Sequence, residues 1–255
     1  LVTNYRHHAQ RLSEQATTLF AQMAAGDVNA DLPETFRERL AHARNALLAI
    51  TQADDQGIRV SEHGQADQFV PLPNEVGDEL EAAIELGDAT ILFHDARAMR
   101  LQFAAAQRAE DVGDIDDAFN QLLEHVRAAH PRNDMLDEAV VQAEDLPHER
   151  TARIWTLRLN AFVQGVENSL QQANVGNHGP IYTGLLAAMR NEPIRGFGDT
   201  LQNARRALQE IEAYIQQNGR TERRAITEAR NSLRGVIDRA DALIAAANRA
   251  EQAST

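Results

Sequence analysis

Apolar residues recur at steps of three and four along most of this chain, with polar residues between them. That spacing gathers one face of an α-helix. The first run puts Tyr5, Ala9, Leu12, Ala16, Leu19 and Met23 on one stripe and predicts a helix over residues 4–25, ended by Gly26. Asp31 and Pro33 then form a start signal, Asp as a cap and Pro in the first turn. The helix that follows carries Phe36, Leu40, Ala43 and Leu47. These two helices are expected to pair antiparallel.

Residues 54–74 break the period. Gly, Asp and Pro punctuate two short β-friendly runs, Ile58–Val60 and Gln68–Leu72, and the stretch reads as a small β-hairpin or an ordered loop. Helix resumes near Glu75. From Ala89 to Ala109, the apolar positions Ile91, Leu92, Phe93, Ala96, Met99, Phe103 and Ala106 form a face broad enough for a buried central helix. The acidic run Glu110–Asp117 reads as a connector, with Asp114 or Asp116 capping a helix that holds Phe119, Leu122, Leu123 and Val126 and stops at His130-Pro131. A short helix from Met135 to Gln142 is stopped by Leu146-Pro147. A long one, over about residues 148–173, places Trp155, Leu159, Phe162, Val166 and Leu170 on its stripe, widened by Ile154 and Leu157. The loop Asn174–Pro180, a short helix Tyr182–Arg190 and the breaker Asn191–Gly198 complete this part.

The C-terminal third is the most regular. Leu201, Ala204, Leu208, Ile211 and Ile215 step 3-4-3-4; after Asn218-Gly219, so do Ile226, Ala229, Leu233, Val236, Ala240, Leu243 and Ala247. Two such stripes around a tight turn predict an antiparallel coiled-coil hairpin. The fold class is therefore all-α: a helical bundle over residues 1–197, with one small β-hairpin or ordered loop, and a helical hairpin over 198–255. From Gly198 onward the chain carries nine Arg and eight acids, +1, against −14 for residues 1–197. The less acidic hairpin is thus expected to project and to bind a protein partner.

Composition narrows the function. The chain has 255 residues and a formal charge of −13, which opposes nucleic acid or an anionic membrane as the main partner. No apolar run is long enough to span a bilayer. With no cysteine, disulfides, thiolate metal sites and a cysteine nucleophile are excluded. The chain lacks an initiator Met and a charged-then-apolar leader, so it reads as a fragment or a mature domain.

All 25 basic residues are Arg; there is no lysine. A GC-rich codon bias would also depress Asn and Ile, yet the chain has fifteen Asn and thirteen Ile. Lysine's amine accepts ubiquitin and acetyl groups, whereas guanidinium does not. Replacing lysine by arginine keeps helix propensity and charge, so a protein working near ubiquitin-charged enzymes escapes modification at little cost to its fold; composition drift in one lineage is the alternative account.

Catalytic motifs are missing. Neither GxxxxGK nor GxGxxG occurs, and no GxSxG elbow is present. His7-His8 are adjacent, His125 and His130 are five apart, and none of the nine His falls in an HExxH pattern, so no metal and no cofactor is expected. Counted from Asp114, a calcium loop would need Gly where Phe119 stands and Glu where His125 stands. Trp155, on the apolar stripe, reads as a core anchor. Pro180, Ile181 and Tyr182 put apolar groups at a loop tip, where they could dock a partner or tuck into the bundle.

The segment PHERTARIW (Pro147–Trp155), continuing as TLRLNAF, resembles the active-site helix of the novel bacterial E3 ubiquitin ligases of type III effectors, in which Cys-Glu-Asp-Arg leads into a Trp-bearing helix. The upstream run FNQLLEHVRAAHPRNDMLDEAVVQAEDL has a comparable layout. If Arg150 matches that family's Arg, Pro147 stands where the nucleophile belongs, and neither Pro147 nor His148 can carry a thioester. Thioester transfer is excluded. The chain is more similar to the XopL-type effector ligases of Xanthomonas, whose all-helical domain needs no catalytic cysteine. That resemblance implies a secreted effector in the host cytoplasm that orients a charged ubiquitin-conjugating enzyme; the apolar loop tip Pro180–Tyr182 is the place such an enzyme would be gripped.

Overall fold

The computed structural model describes residues 2–26, 32–53, 58–60, 68–70, 73–113, 116–128, 133–172, 196–219 and 223–253. Its elements are α1 (Val2–Ala24), α2 (Glu34–Thr51), β1 (Ile58–Val60), β2 (Gln68–Val70), α3 (Asn74–Ala105), α4 (Ala109–Gly113), α5 (Asp116–Ala128), α6 (Asp134–Glu144), α7 (Leu146–Gln172), α8 (Gly196–Gln217) and α9 (Arg224–Ala253). The fold is all-α. The two strands pair antiparallel, with Ile58 opposite Val70 and Val60 opposite Gln68. The chain divides into two compact units, Leu1–Met99 with Asn120–Glu144, and Arg100–Phe119 with Asp145–Thr255. The boundary expected between residues 197 and 198 therefore falls inside the second unit.

In the first unit, α1 buries Ala9, Leu12, Ala16, Leu19, Phe20 and Met23, and α2 buries Phe36, Leu40, Ala43 and Ala46. Both stripes lie where the 3-4 spacing predicts, except that Ala46 takes the central place and Leu47 packs at the edge. Gly26 ends α1 with φ +85°, a left-handed conformation that glycine adopts without a Cβ clash. Pro33 precedes α2 at its cap position instead of sitting in its first turn, and Asp31 lies outside the described residues. Val76, Leu80 and Ala83 of α3 close the core. Gly87 lets α3 approach α2 closely, since a Cβ there would lie 2.8 Å from Leu40 Cδ1. The buried Thr90 hydroxyl donates to Leu86 O at 2.8 Å and lies 3.3 Å from Ala16 O of α1. Asn133 caps α6, its Oδ1 accepting the Leu136 N–H at 2.8 Å.

The second unit is built on α7, α8 and α9. Ala152, Leu159 and Val163 of α7 share one core with Phe197, Leu201, Ala204, Ala207, Ile211 and Ile215 of α8 and with Ile226, Leu233, Val236, Ile237 and Ala240 of α9. The C-terminal hairpin therefore does not project; its apolar seam is consumed by α7. It is antiparallel, with Arg205 bonded to Asp241 and Arg234 to Glu212. Gly219 closes the turn with φ +59°, and the Asn218 side chain donates to Tyr214 O at 2.9 Å.

Three other expectations change. The buried face of α7 runs through Ala152, Thr156, Leu159, Val163 and Val166, rotated from the predicted stripe so that Trp155 and Phe162 pack at its edge. Trp155 is thus half-buried, with the Arg158 guanidinium 5.1 Å from its ring centre. The breaker before α8 is shorter than read, because the helix starts at Gly196 to bury Phe197. The acidic connector contains α4, whose Asp111 carboxylate accepts the Arg108 N–H at 2.8 Å and the Gln107 N–H at 3.1 Å. This is the reach-back half of a capping box, and it holds the Asp111 carboxyl below its ordinary range. Of the two predicted caps, Asp116 is the first residue of α5, while Asp114 and the predicted helix over 182–190 lie outside the described residues.

Candidate functional site

The densest group of buried ionisable side chains in the second unit lies at the head of α7. Pro147 occupies the helix's first turn, where its missing N–H costs nothing. This is why the helix begins at Leu146, ahead of the predicted start. The Asp145 carbonyl accepts the His148 and Glu149 N–H groups, each at 3.0 Å, as a residue at the cap position does. The Asp145 carboxylate is 1% exposed. It pairs with Arg223 at 2.7 Å and accepts the Tyr214 hydroxyl at 3.0 Å. One acid thus ties the start of α7 to the end of α8 and the entry to α9.

One turn along, Glu149 is also buried and faces Arg100. The guanidinium donates from Nε to Oε2 at 2.9 Å and from a terminal nitrogen to Oε1 at 2.8 Å, the two-pronged arrangement in which Arg–carboxylate pairs are strongest. Arg153 donates to Ala106 O at 2.6 Å and Ala104 O at 3.2 Å, satisfying carbonyls that the end of α3 leaves free. Arg150 stands 5.2 Å over the Phe119 ring.

His148 stacks on Tyr214, ring centres 3.9 Å apart and planes 28° from parallel. Burial pushes its pKa below the ordinary value, opposed by the charges of Asp145 and Glu210. The sign follows directly. The unfolded imidazole takes up a proton near pH 6.5, the folded one only at lower pH, so His148 favours folding above about 6.5 and withdraws that support as pH falls. The unfolding free energy, measured in urea at pH 7 and pH 5, should therefore drop more in the wild type than in His148→Gln. Equal drops would refute the assignment.

The acids of the cluster are engaged, although Arg153 Nε and Thr156 Oγ1 are buried without a hydrogen-bond partner among the described residues. Both buried carboxylates are neutralised by guanidinium, and the Tyr214 hydroxyl is engaged. His148 stacks on that phenol ring and feels the charges of Asp145 and Glu210, none of them a nucleophile it could activate. Among the described residues, no three or more His, Cys, Asp or Glu converge to hold a metal, and no helix is long and apolar enough to cross a membrane.

Of the residues singled out in the sequence, Pro180, Ile181 and Tyr182 lie outside the described residues. Pro147, His148 and Arg150 fall at the head of α7, where the ligase resemblance aligned an active site. Asp145 and its partners Tyr214 and Arg223, the nearer of them 69 residues further along the chain, were missed. The one local signal was an acid directly before Leu-Pro, a helix-start pattern. No protein-family model, curated protein or solved structure matches the chain.

Proposed function

We propose that this chain is a non-catalytic, all-helical protein-interaction module. The observation that carries the reading is the pairing of both buried acids at the head of α7. Its two buried acids are paired with Arg100 and Arg223, and the Tyr214 phenol donates to Asp145, an arrangement that fixes helices in place and ties up the carboxylates that acid–base work would need. The partner is a protein, since a charge of −13 disfavours nucleic acid. It meets outward polar faces of the α8–α9 hairpin, whose apolar seam is spent inside the core.

A second reading is favoured by the absence of lysine among 25 basic residues. Here the module is a bacterial effector domain in the host cytoplasm that holds a charged ubiquitin-conjugating enzyme, as a ligase scaffold without a thioester, through the Pro180–Tyr182 loop. One experiment separates the two. The whole chain is incubated with ubiquitin, activating enzyme and a broad panel of conjugating enzymes, and in parallel its binding partners are purified and the complex rebuilt from pure components. Chain-dependent polyubiquitin establishes the scaffold and overturns the non-catalytic reading. A silent panel with a stoichiometric rebuilt complex establishes the interaction module, and a silent panel with no complex defeats both.

A further inference from the structure

Within the first unit, the fold brings together two histidines that lie 34 positions apart in the sequence. His8 of α1 and His42 of α2 face each other with ring centres 6.1 Å apart and planes inclined by 58°. They line a recess of about 350 Å³ together with Tyr5, Asn45 and Ala46. We propose that this recess is a two-histidine site for a borderline divalent cation of the zinc, nickel or copper(II) class, the ions that imidazole nitrogen prefers.

The geometry supports the proposal quantitatively. With metal–nitrogen bonds of about 2.0–2.1 Å, two imidazoles on one tetrahedral ion have their ring centres about 5 Å apart. His8 and His42 are both exposed, so side-chain rotation can close the remaining distance without moving either backbone. Asn45 follows His42 by one helical turn on the same face and offers a side-chain carbonyl as a third ligand. The Tyr5 hydroxyl can bond a water on the ion. Two imidazoles and water make a weak, open site. It clips α1 to α2 where their rims meet solvent, on top of an apolar core that folds without it.

Binding to the folded state alone must raise stability. The test is a thermal melt of the metal-stripped whole chain with and without zinc chloride at about 100 µM, followed by helical circular dichroism. Zinc is expected to raise the Tm by about 2–4 °C. His8→Ala and His42→Ala should each abolish the rise, while His7→Ala, which does not line the recess, should retain it. Should either variant melt abnormally without metal, copper(II) bound to the wild type is read by electron paramagnetic resonance, and the expected signature is two equivalent imidazole nitrogens. A wild-type Tm unmoved by zinc, a rise that survives both His8→Ala and His42→Ala, or a copper spectrum without two nitrogens would overturn the site.

Discussion

Asp145→Ala should destabilise the second unit by about 3–5 kcal/mol, the range for breaking a buried ion pair from one side. The carboxylate is 1% exposed and the Arg223 side chain 15%, so deleting the acid removes the charge that neutralises a largely buried guanidinium. It also strips the Tyr214 hydroxyl of its acceptor. Most of the expected loss is the cost of the abandoned partner and not the intrinsic worth of the pair. Two companions follow from this. Arg223→Met alone should be comparably harmful, because it removes the guanidinium that neutralises a buried carboxylate. The double variant Asp145→Ala with Arg223→Met should regain much of the loss, giving a coupling energy of at least about 1 kcal/mol. Trp155 is the only tryptophan and packs against the core of this unit, so its fluorescence in urea isolates the relevant transition. A loss below about 1 kcal/mol in Asp145→Ala, or strictly additive single variants, would show that the pair is solvated and that the cluster is not the clamp described above.

The contrast between that clamp and the helices shows what the sequence makes legible. Helix positions could be read because burial repeats every three to four residues within one segment. In α1, five of the six predicted stripe residues are buried, and Tyr5 packs at the edge. The reading weakened where a helix touches several neighbours. On α7, large side chains drew the predicted stripe toward Trp155 and Phe162, whereas the buried line passes through the small residues Ala152 and Thr156. Close helix approach selects small residues that hydropathy undervalues. The site failed for a different reason. Asp145, Tyr214 and Arg223 are unremarkable in their own segments, and so are His8 and His42; each set acquires meaning only from contacts across 34 or more residues, which no local spacing encodes. Leu146-Pro147 does stand where the short helix stops, at Glu144, and the same proline suits the first turn of the next helix, which therefore begins two residues ahead of the predicted start.

The largest effect is expected from Leu233→Glu. Leu233 is fully buried at the meeting of α7, α8 and α9. Removing its packing costs about 2–5 kcal/mol, and a carboxyl group with no partner there adds a further penalty of about 1–3 kcal/mol even when protonated. That total is comparable with the whole stability of a small domain, about 5–15 kcal/mol. The variant should lose the Trp155 transition and much of its helical signal at 25 °C. Leu208→Glu is the informative counterpart. Leu208 packs against the same core but is only partly buried, so its replacement can turn the charge to solvent and should cost about 1–2 kcal/mol. Because the two positions share one seam, they separate folding from recognition. If partner binding runs through the outer polar faces of the hairpin, Leu208→Glu should fold and bind within about twofold of the wild type, while Leu233→Glu binds nothing. Folded Leu208→Glu that no longer binds would instead move the interface onto the seam's rim. A normally melting Leu233→Glu would mean that α9 is not held in the core at all, and the three-helix frame would have to be redrawn.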